Sequence, residues 1–285
     1  YAVEIKGFDD RLDLLHTTGE LSCDNQLYAT AQIRAFVRPD SPKPSIVGIT
    51  THLTRSELLK GKVALGIGGS RGLGAAISQA LALQGCSVLM NYHQSKVDAE
   101  LIQASLHDES SLIELAQGDA SDIQWCQTLR QYVLKKYKGI DFLVCNASPP
   151  IRPLSFVPEK LEWFQDFLGK SLALVSVPMS IFLGCLSERS GWNVVISSAF
   201  VRDLPAEWPH YVTAKCAVEG LVHWAAAQYP QTHSLVVRPP KLLTDQTNTT
   251  MGRQGAMAVE QAAAAIVKHL CSSRPSKSVQ VLDSF

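Results

Sequence analysis

From residue 62 onward, short runs of consecutive apolar residues alternate with stretches whose apolar positions recur every three or four residues. The runs at Val63–Ile67, 87–90, 112–115, Phe142–Cys145, 194–196 and 235–237 predict strands buried on both faces. Between them, Leu73, Ile77, Ala80 and Leu81 share one helical face. Strand and helix in alternation predict an α/β fold, a doubly wound parallel sheet with helices on both faces. No internal repeat is present.

The first 60 residues follow a different pattern. Leu27, Ala29, Ala31, Ile33, Ala35 and Val37 alternate with Thr30, Gln32 and Arg34, the period of two of a half-buried, antiparallel strand. Residues 38–44, with Pro39, Pro42 and Pro44, read as a stiffened linker. One strand cannot bury its own face. Residues 1–60 therefore divide from 61–285 as an N-terminal β-containing extension or the edge of a neighbouring domain. The strand resembles the closing strand of a hot-dog-type domain; a plain extension is the alternative. Tyr1 in place of a methionine suggests a processed chain or a piece of a longer one.

Composition narrows the class. The 285 residues are 46% hydrophobic and 18% charged, enough to build a sizeable core and a poor fit to disorder. Lys plus Arg equals Asp plus Glu at 26 each, and zero net charge argues against a nucleic-acid partner. The seven cysteines show no C-x-x-C spacing and the histidines no H-x-x-x-H. Buried reduced thiols are expected, without disulfides or a metal. With no secretory signal, a cytoplasmic protein is expected. The uncharged stretch 171–187 contains Pro178 and is shorter than the ~20 residues of a membrane span, so it reads as a buried helix rather than a membrane anchor.

Candidate chemistry begins where the first apolar run meets Gly68-Gly69-Ser70-Arg71-Gly72-Leu73-Gly74 and then a helix. Glycines let the backbone approach a pyrophosphate, and a helix N-terminus favours its charge. Gly68, Ser70, Arg71, Gly72, Leu73 and Gly74 are the candidate phosphate contacts. The end of the second strand, at Asn91, has no acid until Asp98, whereas an NAD site places one there for the ribose 2′-OH. Arg71, assisted by Lys96, suits a 2′-phosphate, so NADP(H) is expected over NAD(H). Far downstream, Tyr211 and Lys215 stand four apart on one helix face, thirteen residues after Ser198. A free phenol titrates near pH 10, and an adjacent ammonium is expected to bring Tyr211 toward the working range. Ser198 can hold the substrate oxygen. Phe200, Trp208 and His210 flank the tyrosine as candidates for lining the site or simply for packing.

The glycine loop, Ser198, Tyr211 and Lys215 together resemble the short-chain dehydrogenase/reductase family over about residues 59–282. The resemblance implies a Rossmann-type fold with hydride transfer between a nicotinamide and a carbonyl carbon, Tyr211 supplying the proton. It implies further cofactor contacts at Asp119 and Ala120, at Asn146 and Ala147, and at Pro239 and Thr244. Ser148 and Pro240 stand where the family usually has glycine. The family's usual asparagine before the Ser198 strand is also absent, and Gly169-Lys170-Ser171 stands there. Polyketide synthase ketoreductases are similar in carrying a lysine at Lys170, but they usually have asparagine where this chain has Lys215. Lys170 is therefore either a catalytic relay residue or a solvated helix residue.

The expected activity is NADPH-dependent reduction of a β-ketoacyl thioester on an acyl carrier protein, within a larger multidomain enzyme. A polar, glycine-containing lid is expected within 243–261. The alternatives are a freestanding carbonyl reductase acting on a small molecule and a non-catalytic dinucleotide-binding scaffold. A homo-oligomer formed through the 171–187 helix is also expected.

Overall fold

Three antiparallel strands precede the apolar runs: β1 (Ala2–Asp9), β2 (Leu14–Cys23) and β3 (Gln26–Phe36), in the spatial order β1-β2-β3. The computed structural model describes all residues except 38, 39, 41, 107–111 and 273–278, so part of the expected 38–44 linker lies outside the described residues. The register puts Val3, Ile5 and Phe8 on one face with Leu15, Thr17, Leu21, Ala29, Ala31, Ile33 and Ala35. Glu4, His16, Thr18, Glu20, Thr30, Gln32 and Arg34 occupy the other. The expected half-buried strand is thus corrected. Every residue of β3 is exposed, Ile33 at 49%, including those of the apolar face. Residues Tyr1–Pro42 form a compact unit with Leu243–Ala256. Within it Thr250 Oγ1 donates to Asp13 Oδ2, and Asn248 Nδ2 donates to the carbonyl of Asp40 at 3.2 Å.

The second unit is Lys43–Leu242 with Met257–Phe285. The expected division at residue 60 therefore falls at 42/43. Helix α1 (Ile46–Thr50) belongs to the second unit because Ile49, Leu53 and Leu59 are buried in its core. Its strands are β4 (Val63–Ile67), β5 (Ser87–Tyr92), β6 (Ile113–Gln117), β7 (Phe142–Cys145), β8 (Trp192–Ile196), β9 (His233–Val237) and β10 (Gln280–Leu282). All pair in parallel, in the order β10-β9-β8-β7-β4-β5-β6. Helices α2 (Gly72–Ala82), α3 (Lys96–Ala104), α4 (Ile123–Tyr137), α5 (Leu161–Glu188), α6 (Phe200–Asp203), α7 (Pro209–Gln228) and α9 (Val259–Ser272) connect them, while α8 (Thr250–Arg253) lies in the first unit.

Successive side chains on a strand face opposite ways, so apolar runs build two cores. Ala64, Val88, Val144, Val194 and Leu235 join α2 and α9 in one. Leu65, Leu143, Val195 and Val236 join Met179, Phe182, Val218 and Val222 of α5 and α7 in the other. The uncharged stretch lies in α5 and turns Val175, Met179 and Phe182 into that core. By length and composition alone, α5 would also be apolar enough to cross a membrane. Cys86, Cys126, Cys145 and Cys185 are buried free thiols, Cys271 is half-buried, and Cys23 and Cys216 are exposed.

At the edge of the sheet where these strands begin, buried Asp141 accepts hydrogen bonds from the Val63 amide at 2.9 Å and from Lys62 Nζ and Arg189 Nη1 at 3.0 Å each. It thereby fixes β4 against the segment that enters β7. Removing a buried carboxylate strands its donors, and solvent around Lys62 moderates the loss. Asp141→Ala is expected to cost roughly 2–3 kcal/mol in urea unfolding, with Asp141→Asn losing less because it retains an acceptor for the Val63 amide.

Candidate functional site

Strand order reverses between β4 and β7, and in open parallel sheets ligands bind beyond the strand C-termini at such a point. There the Asn146 and Ala147 amides both donate to the Ile67 carbonyl at 3.1 Å. Gly68 follows with a φ of +72°, and a Cβ on it would meet Ala147 Cα at 2.8 Å. A Cβ on Gly74 would lie 2.1 Å from the Gly68 oxygen, so the first turn of α2 approaches the loop as only glycine allows. Asn146 Nδ2 donates to that same oxygen at 2.9 Å. The first turn of α2 contains no acidic residue, and Arg71 at the N-cap makes no side-chain cap. Its amide groups thus have no side-chain carboxylate competing for them, as an anion site requires.

The other candidate cofactor contacts fall into two groups. Arg71 is exposed at the loop tip, Ser70 is nearly buried beside it, and Leu73 and Ala120 turn their side chains into the interior. Asp119 accepts from the Ser121 amide at 2.8 Å and from Ser121 Oγ at 2.7 Å, and these bonds lower its pKa. Lys96 stands 3.7 Å from Glu100. The Pro239 carbonyl accepts from the Ala199 amide at 3.0 Å, next to Ser198. Thr244 belongs with the first unit, where it caps the 3-10 turn Asp245–Thr247. Asn91 is the correction. It is buried, and its Oδ1 accepts from the Gly68 amide at 3.3 Å while Nδ2 donates to the carbonyls of Ala116 and Gly118 at 3.2 and 3.0 Å. These side-chain bonds brace the glycine loop from within.

Beyond β8, Ser197 and Ser198 are buried, and the Ser197 amide donates to the Val237 carbonyl at 2.7 Å. Tyr211 opens α7, with Pro209 setting the first turn. Lys215, one turn on, has Nζ 5.5 Å from the centre of the Tyr211 ring and donates to the Ile196 carbonyl at 2.7 Å. Burial lowers the Lys215 pKa to about 8, against the opposing pull of Glu219 and Cys145. Burial raises the Tyr211 pKa, and its hydrogen bond with Ser198 draws it partly back. The expected downward pull of the ammonium on the phenol is not what dominates here; desolvation of both side chains does. Burial also works against the Glu219 carboxylate. Hydrogen bonds from Arg238 Nη2 at 2.6 Å and Nε at 3.0 Å, and from Ser197 Oγ at 2.5 Å, nevertheless hold its pKa below the ordinary value. No spacing rule signals this Glu219–Arg238–Ser197 cluster in the sequence.

Lys170 does not join the group. Its side chain is 65% exposed and pairs with Asp166 at 2.7 Å, one turn back on α5. Its neighbour Ser171 is buried on the face shared with Phe167 and Val175, with a hydroxyl that has no partner among the described residues. Phe167, Ser171 and Val175 share this buried helical phase, whereas Lys170 lies off it toward solvent. His210 is also fully buried, and neither ring nitrogen has a partner among the described residues.

The short chain dehydrogenase family profile matches residues 62–255. A fatty acyl-CoA reductase of Acinetobacter baylyi is 26% identical over 60% of this chain and 59% of its own length. A 3-oxoacyl-[acyl-carrier-protein] reductase of Synechocystis sp. is 30% identical over 66% of this chain and 77% of its own. The chain thus spans about three fifths of the first of these relatives. Among solved structures, an alcohol dehydrogenase from Thermococcus sibiricus complexed with 5-hydroxy-NADP superposes with a TM-score of 0.68 at 25% identity, covering 78% of this chain and 95% of that one. A short chain dehydrogenase from Burkholderia cenocepacia in complex with NADP gives 0.69 at 25% identity, covering 79% and 97%. With its glycine loop at the strand-order reversal and its profile match running across most of the second unit, this chain belongs to the short chain dehydrogenase family.

Proposed function

We propose that the chain is an NADPH-dependent ketoreductase whose substrate is a β-ketoacyl thioester presented on an acyl carrier protein. The observation that carries the reductase reading is the grouping of buried Ser198 with half-buried Tyr211 and Lys215, set on the same sheet edge as the glycine loop. The 3-oxoacyl-[acyl-carrier-protein] reductase relative supports the thioester, and the alcohol dehydrogenase likeness favours a second reading, a small free ketone.

The glycine loop fits a dinucleotide, since its close approaches admit no side chain and α2 presents an anion-ready end. Gly68, Ser70, Gly72, Leu73 and Gly74 would hold the pyrophosphate through the backbone, and Arg71 the 2′-phosphate. Asp119 and Ala120 would meet the adenine side, and Asn146, Ala147 and Pro239 the nicotinamide side. The NADP-bound relatives support NADP(H). Bound there, the cofactor supplies the hydride that the carbonyl carbon accepts.

Tyr211 gives its phenolic proton to the carbonyl oxygen, which Ser198 Oγ holds in place. The raised Tyr211 pKa keeps the phenol protonated at neutral pH, as the reductive direction requires. Lys215, anchored on the Ile196 carbonyl, offers positive charge to the phenolate left behind. The two helices α5 and α7 each return from one parallel strand to the next and so run parallel to one another. The ring centres of Phe167 and His210 lie 4.5 Å apart, and Ser171 is buried one turn on from Phe167 along α5. There its free hydroxyl suits a water that resupplies the proton.

The uncovered apolar face of β1–β3 supports reading the first unit as the edge of a neighbouring, hot-dog-like domain in a larger enzyme. Small outward residues on α5, including Gly169, Ser180 and Gly184, suit close packing against a second copy in a homo-oligomer.

Tyr211→Phe is expected to lower kcat about 10²–10⁴-fold while NADPH still binds, measured by absorbance at the reduced nicotinamide band and by ligand fluorescence. Thioester surrogates of β-ketoacyl groups should turn over in preference to unrelated free ketones; efficient turnover of a free ketone with no thioester activity overturns the carrier reading. Lys215 is charged below about 8 and neutral above it, so carbonyl reduction is expected to decline as pH rises through that value, and Lys215→Arg should move the decline upward. Ser171→Ala should reduce kcat with KM little changed, whereas Lys170→Ala should leave both near wild type.

A further inference from the structure

His210 has no place in the chemistry above, yet its surroundings are specific. The ring centres of Trp163 and Phe167 on α5 lie 4.9 and 4.5 Å from the imidazole, Phe167 edge to face, and that of Trp208 lies 6.2 Å away. Solvent does not reach it, although Trp163 outside it is 37% exposed, so a single layer of rings does the screening. Neither nitrogen has a hydrogen-bond partner among the described residues. A phenyl ring would fill such a box without the cost, about 1–3 kcal/mol, of leaving a buried polar group unsatisfied.

The box is also mechanically connected to the tyrosine. Trp208, which touches His210, lies 6.2 Å from Phe200, and Phe200 stands edge to face with Tyr211 at 6.0 Å. The imidazole therefore sits at one end of a chain of rings that ends on the phenol, as well as next to it along the first turn of α7.

We infer that His210 is a proton-sensing positioning residue, which when neutral locks α5 to the first turn of α7 and so holds Tyr211, and when protonated releases both. Among the described residues no charged group is arranged to accept an imidazolium. Glu162 lies on α5 without a contact to the ring, Asp166 is paired with Lys170, Asp203 with Arg202, and Glu219 with Arg238. Glu207 makes no ion pair with the ring among the described residues, and the positive end of α7 disfavours a second positive charge. Desolvation holds the His210 pKa below its ordinary value. The sign follows. The closed box prefers the neutral ring, an open one titrates near the usual 6.5, and falling pH below that value populates the open form.

The inference rests on the ketoreductase reading for its effect on rate, but the box reports without substrate. Tryptophan fluorescence and kcat for reduction are followed from pH 7.5 to 5 in the wild type, His210→Phe and His210→Gln. The wild type should show a fluorescence step and a fall in kcat with a shared midpoint below 6.5, by up to about tenfold per pH unit. Both variants should lack the step and keep kcat flat over that range, and Trp163→Phe should shrink the step. An unchanged acid limb in a folded variant overturns the inference. So does a wild-type fluorescence that stays flat, whether or not the variants fold. If no carbonyl is reduced at any pH but the step is present and depends on His210, the ketoreductase reading fails and the box stands.

Discussion

The close approach of Gly68 to Gly74 governs the functional edge of the sheet. The Gly68 carbonyl is held by Asn146 Nδ2, its amide by Asn91 Oδ1, and no Cβ fits on the facing side. A left-handed turn braced from two neighbouring strands can bring β4 and the start of α2 into register with β7 only if all three elements agree. Position, charge and access at the candidate site are downstream of that fit. Were the loop displaced by an ångström, the anion-ready helix end would no longer face the crevice left by the reversal of strand order.

The opposite wall uses burial in place of close backbone contact. Lys215 is placed by one backbone carbonyl at the end of β8, and Glu219, one turn further along α7, is held by Arg238 from the end of β9. The charge of the lysine is thus weakened by desolvation and sustained by a carboxylate that is itself neutralised elsewhere. The result is a cation close to its own titration point beside a phenol that stays protonated, a combination suited to passing a proton rather than holding one.

Much of this was legible in the sequence, for identifiable reasons. Strands buried on both faces are apolar at every position, so Val63–Ile67 and Phe142–Cys145 stand out at their observed limits. The strands β1 and β2 did not, because a register shift at Lys6 breaks the alternation in one and His16, Thr17, Thr18 and Gly19 dilute it in the other. At three residues, β10 is too short to show a period. Spacing singled out Ser198, Tyr211 and Lys215 and left Lys170 open between a relay and a solvated residue; the fold shows it exposed and paired with Asp166, with Ser171 on the buried helix face. Asn91 was nominated by its place at a strand end, and only the fold shows its amide turned inward. That Leu243–Ala256 groups with the N-terminal meander is invisible to any local pattern, since the segments stand some two hundred positions apart.

The distribution of thiols has a practical consequence. Cys145 and Cys126 are pushed up to about 12 and 11 by burial, and Cys86 further still, so all three are poor nucleophiles at neutral pH. Cys23 and Cys216 are the exposed ones, and they fall one in each unit, on β2 and on α7. A maleimide dye added briefly at pH 7 would therefore mark chiefly Cys23 in the meander and Cys216 in the second unit ahead of half-buried Cys271, and a Cys23→Ser or Cys216→Ser background would give a separate spectroscopic handle on each.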